Sequence, residues 1–316
     1  MSQAEDGSFP IGFPLFLRLD GEDTPTTFYV LQSFTPFTKS QVYLVRQDCS
    51  TKHPSELILK VYDPRFIDDR APAPRAFCPY PWTLDVESLA AQKRGNILPW
   101  KLKDLDELTD RVFDGEKEPH VWEEFLFLLM GKSFTCELGA YKQLADLQGR
   151  SIPKLYGSGM LLPSPPGSHA IEPPVLLLEY IPSVTLDDID TAMLHPKLYR
   201  PLIHTVATFE RRGILHSDFT LGNIIFTPPE APERALVIDF GCAELVEYFS
   251  DEDWAEIVRM TNDVRCLRLT LAHKLGLEII NANKIVDDEG LLAVPADQNG
   301  STKDITTPPS SASLPT

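Results

Sequence analysis

Two short motifs stand close together in this chain: His216-Ser217-Asp218-Phe219-Thr220-Leu221-Gly222-Asn223, and then Val237-Ile238-Asp239-Phe240-Gly241. In the first, an asparagine follows an aspartate by five residues. In the second, another aspartate ends a short apolar run that is typical of a strand. A loop aspartate can accept the proton of a hydroxyl group, and amide and carboxylate oxygens are ligands that Mg²⁺ accepts in proteins. Together the two stretches indicate chemistry on phosphate groups.

Each motif alone has a simpler interpretation. Asp218 fits a helix cap or a turn residue, and Asp239 fits a turn at the end of a strand. Their order along the chain, with apolar runs at 223–226 and 235–238 between them, favours one shared site.

The ordered pattern H-x-D-x-x-x-x-N, apolar strand, D-F-G resembles the catalytic loop and the metal-binding motif of protein kinases. The resemblance covers about residues 28–275. It implies an α+β, bilobal protein-kinase-like fold, with an N-terminal lobe of antiparallel sheet plus a helix and a mostly helical, abbreviated C-terminal lobe. It also implies the cofactors ATP and Mg²⁺, with Asp218 as the catalytic base and Asn223 and Asp239 as the metal ligands.

The same resemblance assigns a lysine and a glutamate. Lys60, which ends the apolar run 57–60, is expected to bind the α- and β-phosphates of ATP. Glu137 is expected to pair with Lys60 from the following helix. Glu123 and Glu124 compete with Glu137 for that role, because glutamates are common on helix surfaces.

Four further positions follow from the resemblance. Glu179 and Ile181 are expected to meet the adenine of ATP through their backbone atoms, at the connection between the lobes. Asp263 resembles the helix aspartate that braces the catalytic loop, although an exposed acid or a helix cap fits it nearly as well. His216 is expected to be a structural, hydrogen-bonded histidine.

Hydrophobic periodicity and proline-rich breaks divide the chain. We predict an N-terminal extension 1–25, an N-terminal lobe 26–180 with an insertion 64–119, a C-terminal lobe 181–292 and a disordered tail 293–316. The predicted strands are 26–34, 41–47, 57–62, 152–159, 175–180, 223–226 and 235–238. The short connections between the first three strands suggest an antiparallel meander. The predicted helices are 84–93, 122–148, 185–194, 197–212, 251–262 and 263–276.

The chain departs from the kinase pattern in four places. No glycine stands between Ser33 and Gln41, where a glycine-rich loop is expected. Ser217 replaces an arginine of many regulated kinases, Thr220 replaces a lysine, and no A-P-E motif follows Gly241. The long insertion and short C-terminal lobe resemble divergent fungal protein-kinase-like proteins, and small-molecule kinases of the aminoglycoside or choline kinase type also lack the lysine. A pseudokinase that binds without turnover is the alternative.

Composition excludes several other functions. The net charge of −17 argues against nucleic-acid and membrane partners, because an acidic surface repels phosphate. Five cysteines without a C-x-x-C pair argue against a disulfide framework, and seven scattered histidines without H-E-x-x-H argue against a metal-dependent hydrolase. We therefore expect an intracellular protein, cytoplasmic or nuclear, whose partners are ATP and an acceptor that is a protein or a small molecule.

Overall fold

Antiparallel strands close into a barrel in the N-terminal part of the structure, a computed structural model that describes residues 9–47, 54–70, 78–95 and 102–277. The barrel strands are β1 Pro14–Leu19, β2 Thr26–Ser33, β3 Gln41–Gln47, β4 Glu56–Val61, β5 Leu155–Leu161 and β6 Pro174–Glu179. Their order around the barrel is β1-β2-β3-β4-β6-β5, and β1 pairs with β5 to close it. The meander predicted for β2, β3 and β4 is confirmed.

Strand β1 lies within residues 1–25, which the sequence prediction treated as an extension ahead of the sheet. Leu15, Leu17 and Leu19 are buried inside the barrel, with the period of two that a half-buried strand requires. The side chain of Phe16 points outward although it is apolar. The sequence of β1 therefore does not show a clear alternation of apolar and polar residues. The extra strand gives the first sheet a closed form in place of the open meander that we expected.

Three helices occupy the connection between β4 and β5: α1 Leu84–Arg94, α2 Leu102–Phe113 and α3 Pro119–Gln143. The helix predicted at 84–93 is confirmed, and Thr83 caps it by accepting the Val86 N–H. The helix α2 was not predicted. The helix α3 begins earlier than predicted, since Pro119 suits a first helical turn, and a 3₁₀ turn over Ala145–Leu147 follows its end. Both α1 and α2 pack against α3.

The C-terminal part combines helices with small sheets. The helices are α4 Pro196–Val206, α5 Asp251–Thr261 and α6 Asp263–Lys274. The short strands are β7 Val184–Thr185, β8 Ile214–Leu215, β9 Ile224–Thr227, β10 Arg234–Val237 and β11 Glu244–Leu245. They form the sheets β10-β9-β7 and β11-β8.

The helix predicted at 185–194 was wrong. The chain forms β7 there and then a single 3₁₀ turn over Thr191–Met193. The Thr185 hydroxyl accepts the Asp188 N–H, and the Asp190 carboxylate accepts the Ala192 N–H. Such local side-chain bonds to the backbone compete with helix formation.

Two large apolar cores hold most of these elements together, and a third, small cluster contains Ile181, Ile225 and Leu236. One fills the barrel and includes Phe28, Val45 and Leu57. The other packs α3 against the C-terminal part, and Leu176 and Leu178 join it from the outer face of β6. None of the helices in the described ranges has the length and apolar character that crossing a membrane requires.

Some predictions fall on residues outside the described ranges. They are residues 1–8 of the predicted extension, 48–53 of the predicted N-terminal lobe, 71–77 and 96–101 of the insertion, 278–292 of the predicted C-terminal lobe, and the tail 293–316. The domain boundaries that we drew from the sequence stay predictions.

Candidate active site

Lys60 lies at the centre of the candidate site. It stands in β4, and its buried ammonium group donates hydrogen bonds to Glu137 Oε2 at 2.6 Å and to Asp239 Oδ1 at 2.8 Å. Burial lowers the pKa of Lys60, but the carboxylates of Asp239 and Glu137 outweigh it and hold that pKa well above its usual value. The lysine is therefore a fixed cation that joins the barrel, α3 and the second motif.

Glu137 is fully buried on α3 and accepts two donors on one oxygen. Besides Lys60, the Tyr62 hydroxyl donates to Oε2 at 2.5 Å. Among the described residues, Oε1 has no hydrogen-bond partner. Burial raises the pKa of Glu137 above its usual value, against the lowering effect of Lys60. The two competing glutamates lie elsewhere, since Glu123 pairs with Arg70 and Glu124 with Arg94.

Asp239 follows β10 in a left-handed backbone conformation, with φ of 65°. A positive φ is uncommon for a residue other than glycine, and aspartate tolerates it better than most. Its Oδ1 accepts hydrogen bonds from Lys60 and from the Gly241 N–H at 3.2 Å. Burial acts to raise the pKa of Asp239, but the charge of Lys60 outweighs it, so the pKa lies below its usual value. The carboxylate is ionised at neutral pH.

Asp218 and Asn223 face each other across the first motif. The Asn223 side-chain amide donates to the backbone carbonyl oxygen of Asp218 and to Asp218 Oδ2, each at 2.9 Å. The Ile238 N–H donates to the backbone oxygen of Asn223 at 3.0 Å, which ties the first motif to the second. The amide oxygen of Asn223 is the atom that could hold a cation.

Asp263, the first residue of α6, accepts hydrogen bonds from the backbone of the first motif. The His216 N–H donates to its Oδ2 at 2.6 Å, and the Ser217 N–H donates to its Oδ1 at 3.1 Å. Ser217 has φ of 62°, a strained value for serine. The buried carboxylate holds this loop in a shape that the backbone alone disfavours.

His216 is structural, as predicted. Its ring is fully buried, with Nε2 at 3.0 Å from the Ile238 carbonyl oxygen and Nδ1 accepting the Asp218 N–H at 3.3 Å. Burial lowers the pKa of His216, so the ring is neutral. It packs edge-on against Phe240, which packs in the same way against Tyr141 of α3. This aromatic stack joins the helix of Glu137 to the loop of Asp218.

An apolar cleft of about 210 Å³ lies beside Lys60 and Asp239. Glu179, the last residue of β6, and the next two residues, Tyr180 and Ile181, line it. The apolar lining comes from the barrel and from the C-terminal part: Phe34, Val42, Ile58, Leu178, Ile225 and Ile238. The lining suits an apolar group with a negatively charged end that reaches Lys60.

Sequence reasoning missed two tyrosines. Tyr62 contacts Glu137 directly, and Tyr141 stands one helical turn after Glu137 and lines the cleft. In the part of the chain that the structure describes, the buried Tyr141 hydroxyl has no hydrogen-bond partner. The available signal was the spacing of Glu137 and Tyr141, which places the two side chains on the same face of a helix.

Two residues of the site offer oxygen ligands that suit a magnesium ion, but they do not complete its coordination shell. Asp239 and Asn223 offer a carboxylate and an amide oxygen, and Mg²⁺ usually takes one or two such groups while water and phosphate oxygens complete its shell. Within the described ranges no group of three or more His, Cys, Asp or Glu residues could hold a metal ion by itself. A site of this kind would bind Mg²⁺ together with a nucleotide.

The sequence matches no protein-family model and no curated protein. Its similar solved structures include "Structure of vaccinia related kinase 3", at 13% identity and a TM-score of 0.35, with 75% of this chain and 52% of that chain covered. They also include "Crystal structure of BubR1 kinase domain", at 12% identity and a TM-score of 0.36, with 78% and 55% covered. This chain spans about half the length of either neighbour. Both neighbours are named as kinases, and the likeness to each is distant.

Proposed function

We propose that this chain is an ATP-dependent phosphotransferase with a bilobal, protein-kinase-like fold. The observation that carries the proposal is the buried ammonium of Lys60, held between Glu137 and Asp239 at one end of an apolar cleft. A cation fixed in this way can meet the phosphates of a nucleotide whose base occupies the cleft. The remaining motif residues supply the groups that phosphoryl transfer requires.

In the proposed reaction, the acceptor oxygen bonds to the γ-phosphorus of ATP while the bond to ADP breaks. Asp218 accepts the proton of the acceptor hydroxyl. Lys60 binds the phosphates, and Glu137 orients Lys60. Asn223 and Asp239 would hold Mg²⁺, which neutralises phosphate charge when it is bound.

One observation favours a small hydroxylated acceptor over a serine or threonine of a protein. After Gly241 the chain folds back at once, because β11 pairs with β8 and Lys132 binds Glu244 at 2.9 Å. The helix α5 begins at Asp251, ten residues after Gly241. This short segment offers little backbone on which an extended peptide could lie.

A second candidate function is nucleotide binding without turnover. Lys60 occupies one oxygen of Asp239, and the β2–β3 turn lacks glycine. Both features reduce the contacts that are open to metal and phosphate. A pseudokinase module would bind ATP but would show no transfer that depends on Asp218.

The test is calorimetric titration of the full chain with ATP, with and without Mg²⁺. Wild type is compared with Asp239→Asn, which keeps the side-chain volume, and with Asp253→Asn on exposed α5 as the matched control. We expect binding that needs Mg²⁺ and Asp239 but not Asp253. Absence of binding at millimolar ATP would overturn the proposal, and binding without phosphate transfer to any hydroxyl acceptor would favour the second candidate.

A further inference from the structure

A second pocket, which we call the β1 pocket, lies where residues 9–16 meet the connection between β5 and β6. Its volume is about 170 Å³, and it shares no lining residue with the cleft beside Lys60. A protein cavity of about 150 Å³ is large enough to hold benzene. The β1 pocket can therefore hold a small organic molecule with one ring or a short chain.

Much of the wall of the β1 pocket is apolar. The rings of Phe9 and Phe13 are stacked, with 5.3 Å between their centroids, and both residues line the pocket. Phe16 also lines it, so this outward-pointing apolar side chain of β1 borders a pocket. The end of β5 and the connection after it supply further apolar residues: Leu161, Leu162, Pro163 and Pro173. Such a wall suits the apolar body of a ligand.

The polar lining of the β1 pocket comes from Arg65, Ser164, Ser168 and His169. Arg65 and His169 lie close together because both bind Asp63. Arg65 Nη2 lies 2.7 Å from Asp63 Oδ2, and His169 Nε2 lies 3.4 Å from Asp63 Oδ1. Ser168 precedes His169 in the chain. These neighbouring groups give the pocket a polar part beside its apolar wall.

The guanidinium group of Arg65 is held in one orientation. Its Nε and Nη2 groups donate to the carboxylate of Asp63. Its central carbon lies 4.9 Å from the ring centroid of Phe66 and 5.3 Å from that of Trp82. The remaining nitrogen, Nη1, donates to no acceptor in the part of the chain that the structure describes. A fixed arginine with one nitrogen left over can donate to a carboxylate without losing further side-chain freedom.

No carboxylate lines the β1 pocket within the described ranges. The side chains of Asp63 and Glu87 are 0% and 4% exposed and do not reach it. Glu87 also accepts the Trp82 ring N–H at 3.1 Å and the Ala170 N–H at 2.6 Å, so its oxygens are already occupied. In a chain with a net charge of −17, a pocket lined by Arg65 and by no acid is suited to a negatively charged group.

We propose that the β1 pocket binds a small carboxylic acid with an apolar body, whose carboxylate accepts a hydrogen bond from Arg65 Nη1. The apolar body lies against Phe9, Phe13 and Phe16. The volume of the pocket limits the ligand to a small molecule. This inference does not depend on the proposed phosphotransferase activity, because the two sites share no residue.

The test is calorimetric titration of the full chain with 3-phenylpropanoate and hexanoate, and with the corresponding alcohols. Arg65→Lys keeps a positive charge beside Asp63 but removes the unused nitrogen, and Arg150→Lys at an exposed position is its matched control. Ser164→Trp fills the pocket from an exposed position, so it tests the site even if Arg65→Lys fails to fold. Ser55→Trp, at an exposed serine outside the pocket, is the control for Ser164→Trp.

We expect wild type to bind at least one acid with a millimolar or tighter dissociation constant. The alcohol should bind about tenfold more weakly than the acid, the size of one charge-assisted hydrogen bond. Arg65→Lys should remove this difference between acid and alcohol. Ser164→Trp should abolish the binding of both, whereas the two control variants should bind as wild type does.

Three results would overturn the proposal. The first is that wild type binds neither acid at about 10 mM, where a millimolar ligand would nearly saturate the site. The second is equal binding of acid and alcohol by wild type, because Arg65 would then not recognise the carboxylate. The third is normal binding of the acid by Ser164→Trp, which would place the acid elsewhere on the protein.

Discussion

The Tyr62 hydroxyl donates a hydrogen bond to Glu137 Oε2 at 2.5 Å, on the same oxygen that accepts Lys60. Tyr62 follows β4 directly, whereas Glu137 lies on α3, so the bond ties the helix to the barrel. Glu137 is thus held by two donors from one edge of the barrel.

We predict that MgATP binding weakens at acid pH, and that in Tyr62→Phe this weakening begins at a higher pH than in wild type. Burial already raises the pKa of Glu137, and Tyr62 is one of the groups that lower it. Loss of the hydroxyl raises the pKa further, so Glu137 takes up a proton and weakens its hold on Lys60 at a higher pH. The measurement is the dissociation constant of MgATP between about pH 5 and 8.

The matched control is Tyr199→Phe, a buried tyrosine on α4 away from the cleft. Tyr199→Phe should leave the pH at which MgATP binding weakens unchanged. If Tyr62→Phe and the control give the same profile, the Tyr62 bond does not set the protonation of Glu137.

Tyr141→Phe should have the opposite effect on stability from Tyr62→Phe. The Tyr141 hydroxyl is buried, lacks a hydrogen-bond partner among the described residues and lies in the field of Glu137. Its removal should stabilise the protein without nucleotide by about 1 kcal/mol, whereas Tyr62→Phe should destabilise it by about 1 kcal/mol. Urea unfolding of both variants measures the sign of each change in the free energy of unfolding.

The aromatic contact of Tyr141 with Phe240, at 5.5 Å between ring centroids, is retained in the phenylalanine variant. A change in packing should therefore not mask the effect of the hydroxyl. A loss of stability in Tyr141→Phe would mean that the hydroxyl is satisfied in solution.

The sequence predicted the positions of the motif residues because each lies in a local pattern. Lys60 stands near the end of an apolar strand, and Asp218, Asn223 and Asp239 stand at fixed spacings around short strands. Their predicted roles are what the binding and transfer experiments test. No local sequence pattern identifies Tyr62, because its hydrogen-bond partner Glu137 is 75 residues away.

The closure of the barrel likewise could not be predicted from the sequence. The sequence of β2, β3 and β4 predicted their pairing, since neighbouring strands in the chain pair most readily. Closure depends on β1 meeting β5, where Leu17 opposes Leu161. No pattern within either strand specifies a partner so distant along the chain, and only the folded arrangement shows it.

We predict that Asp263→Asn lowers the rate of phosphate transfer by about 10- to 100-fold while MgATP affinity changes little. The carboxylate accepts the N–H groups of His216 and Ser217, and an amide can accept only one of them. Asp218 then loses its fixed position, whereas Lys60 and Asp239 keep theirs. Transfer rate and MgATP affinity are measured on the same preparation.

Asp253→Asn, an exposed acid at the start of α5, is the control for charge. An equal loss of affinity and rate in Asp263→Asn would argue that the whole cleft is disturbed and that the brace on the Asp218 loop is not specific.

A buried charged cluster fixes the insertion to the barrel at a distance from the cleft. His169 Nδ1 lies 2.7 Å from Glu87 Oε2 of α1, and Nε2 lies 3.4 Å from Asp63 Oδ1, which follows β4. Arg65 also binds Asp63, at 2.7 Å. Burial lowers the pKa of His169, but the hydrogen bonds to Asp63 and Glu87 outweigh it and raise that pKa above its usual value.

This cluster predicts a pH dependence of stability. A histidine whose pKa is raised on folding contributes stability that is complete below its unfolded pKa, about 6.5, and is lost as the pH rises through the folded pKa. Asp63, whose pKa burial acts to raise but His169 and Arg65 lower to about 2, stays ionised throughout that range. The free energy of unfolding should therefore fall above about pH 6.5 in wild type.

In His169→Gln this fall should be smaller, and in His204→Gln, an exposed histidine on α4, it should be retained. Urea unfolding at a series of pH values measures the slope, and equal slopes in wild type and His169→Gln would show that the ring is neutral in the folded protein.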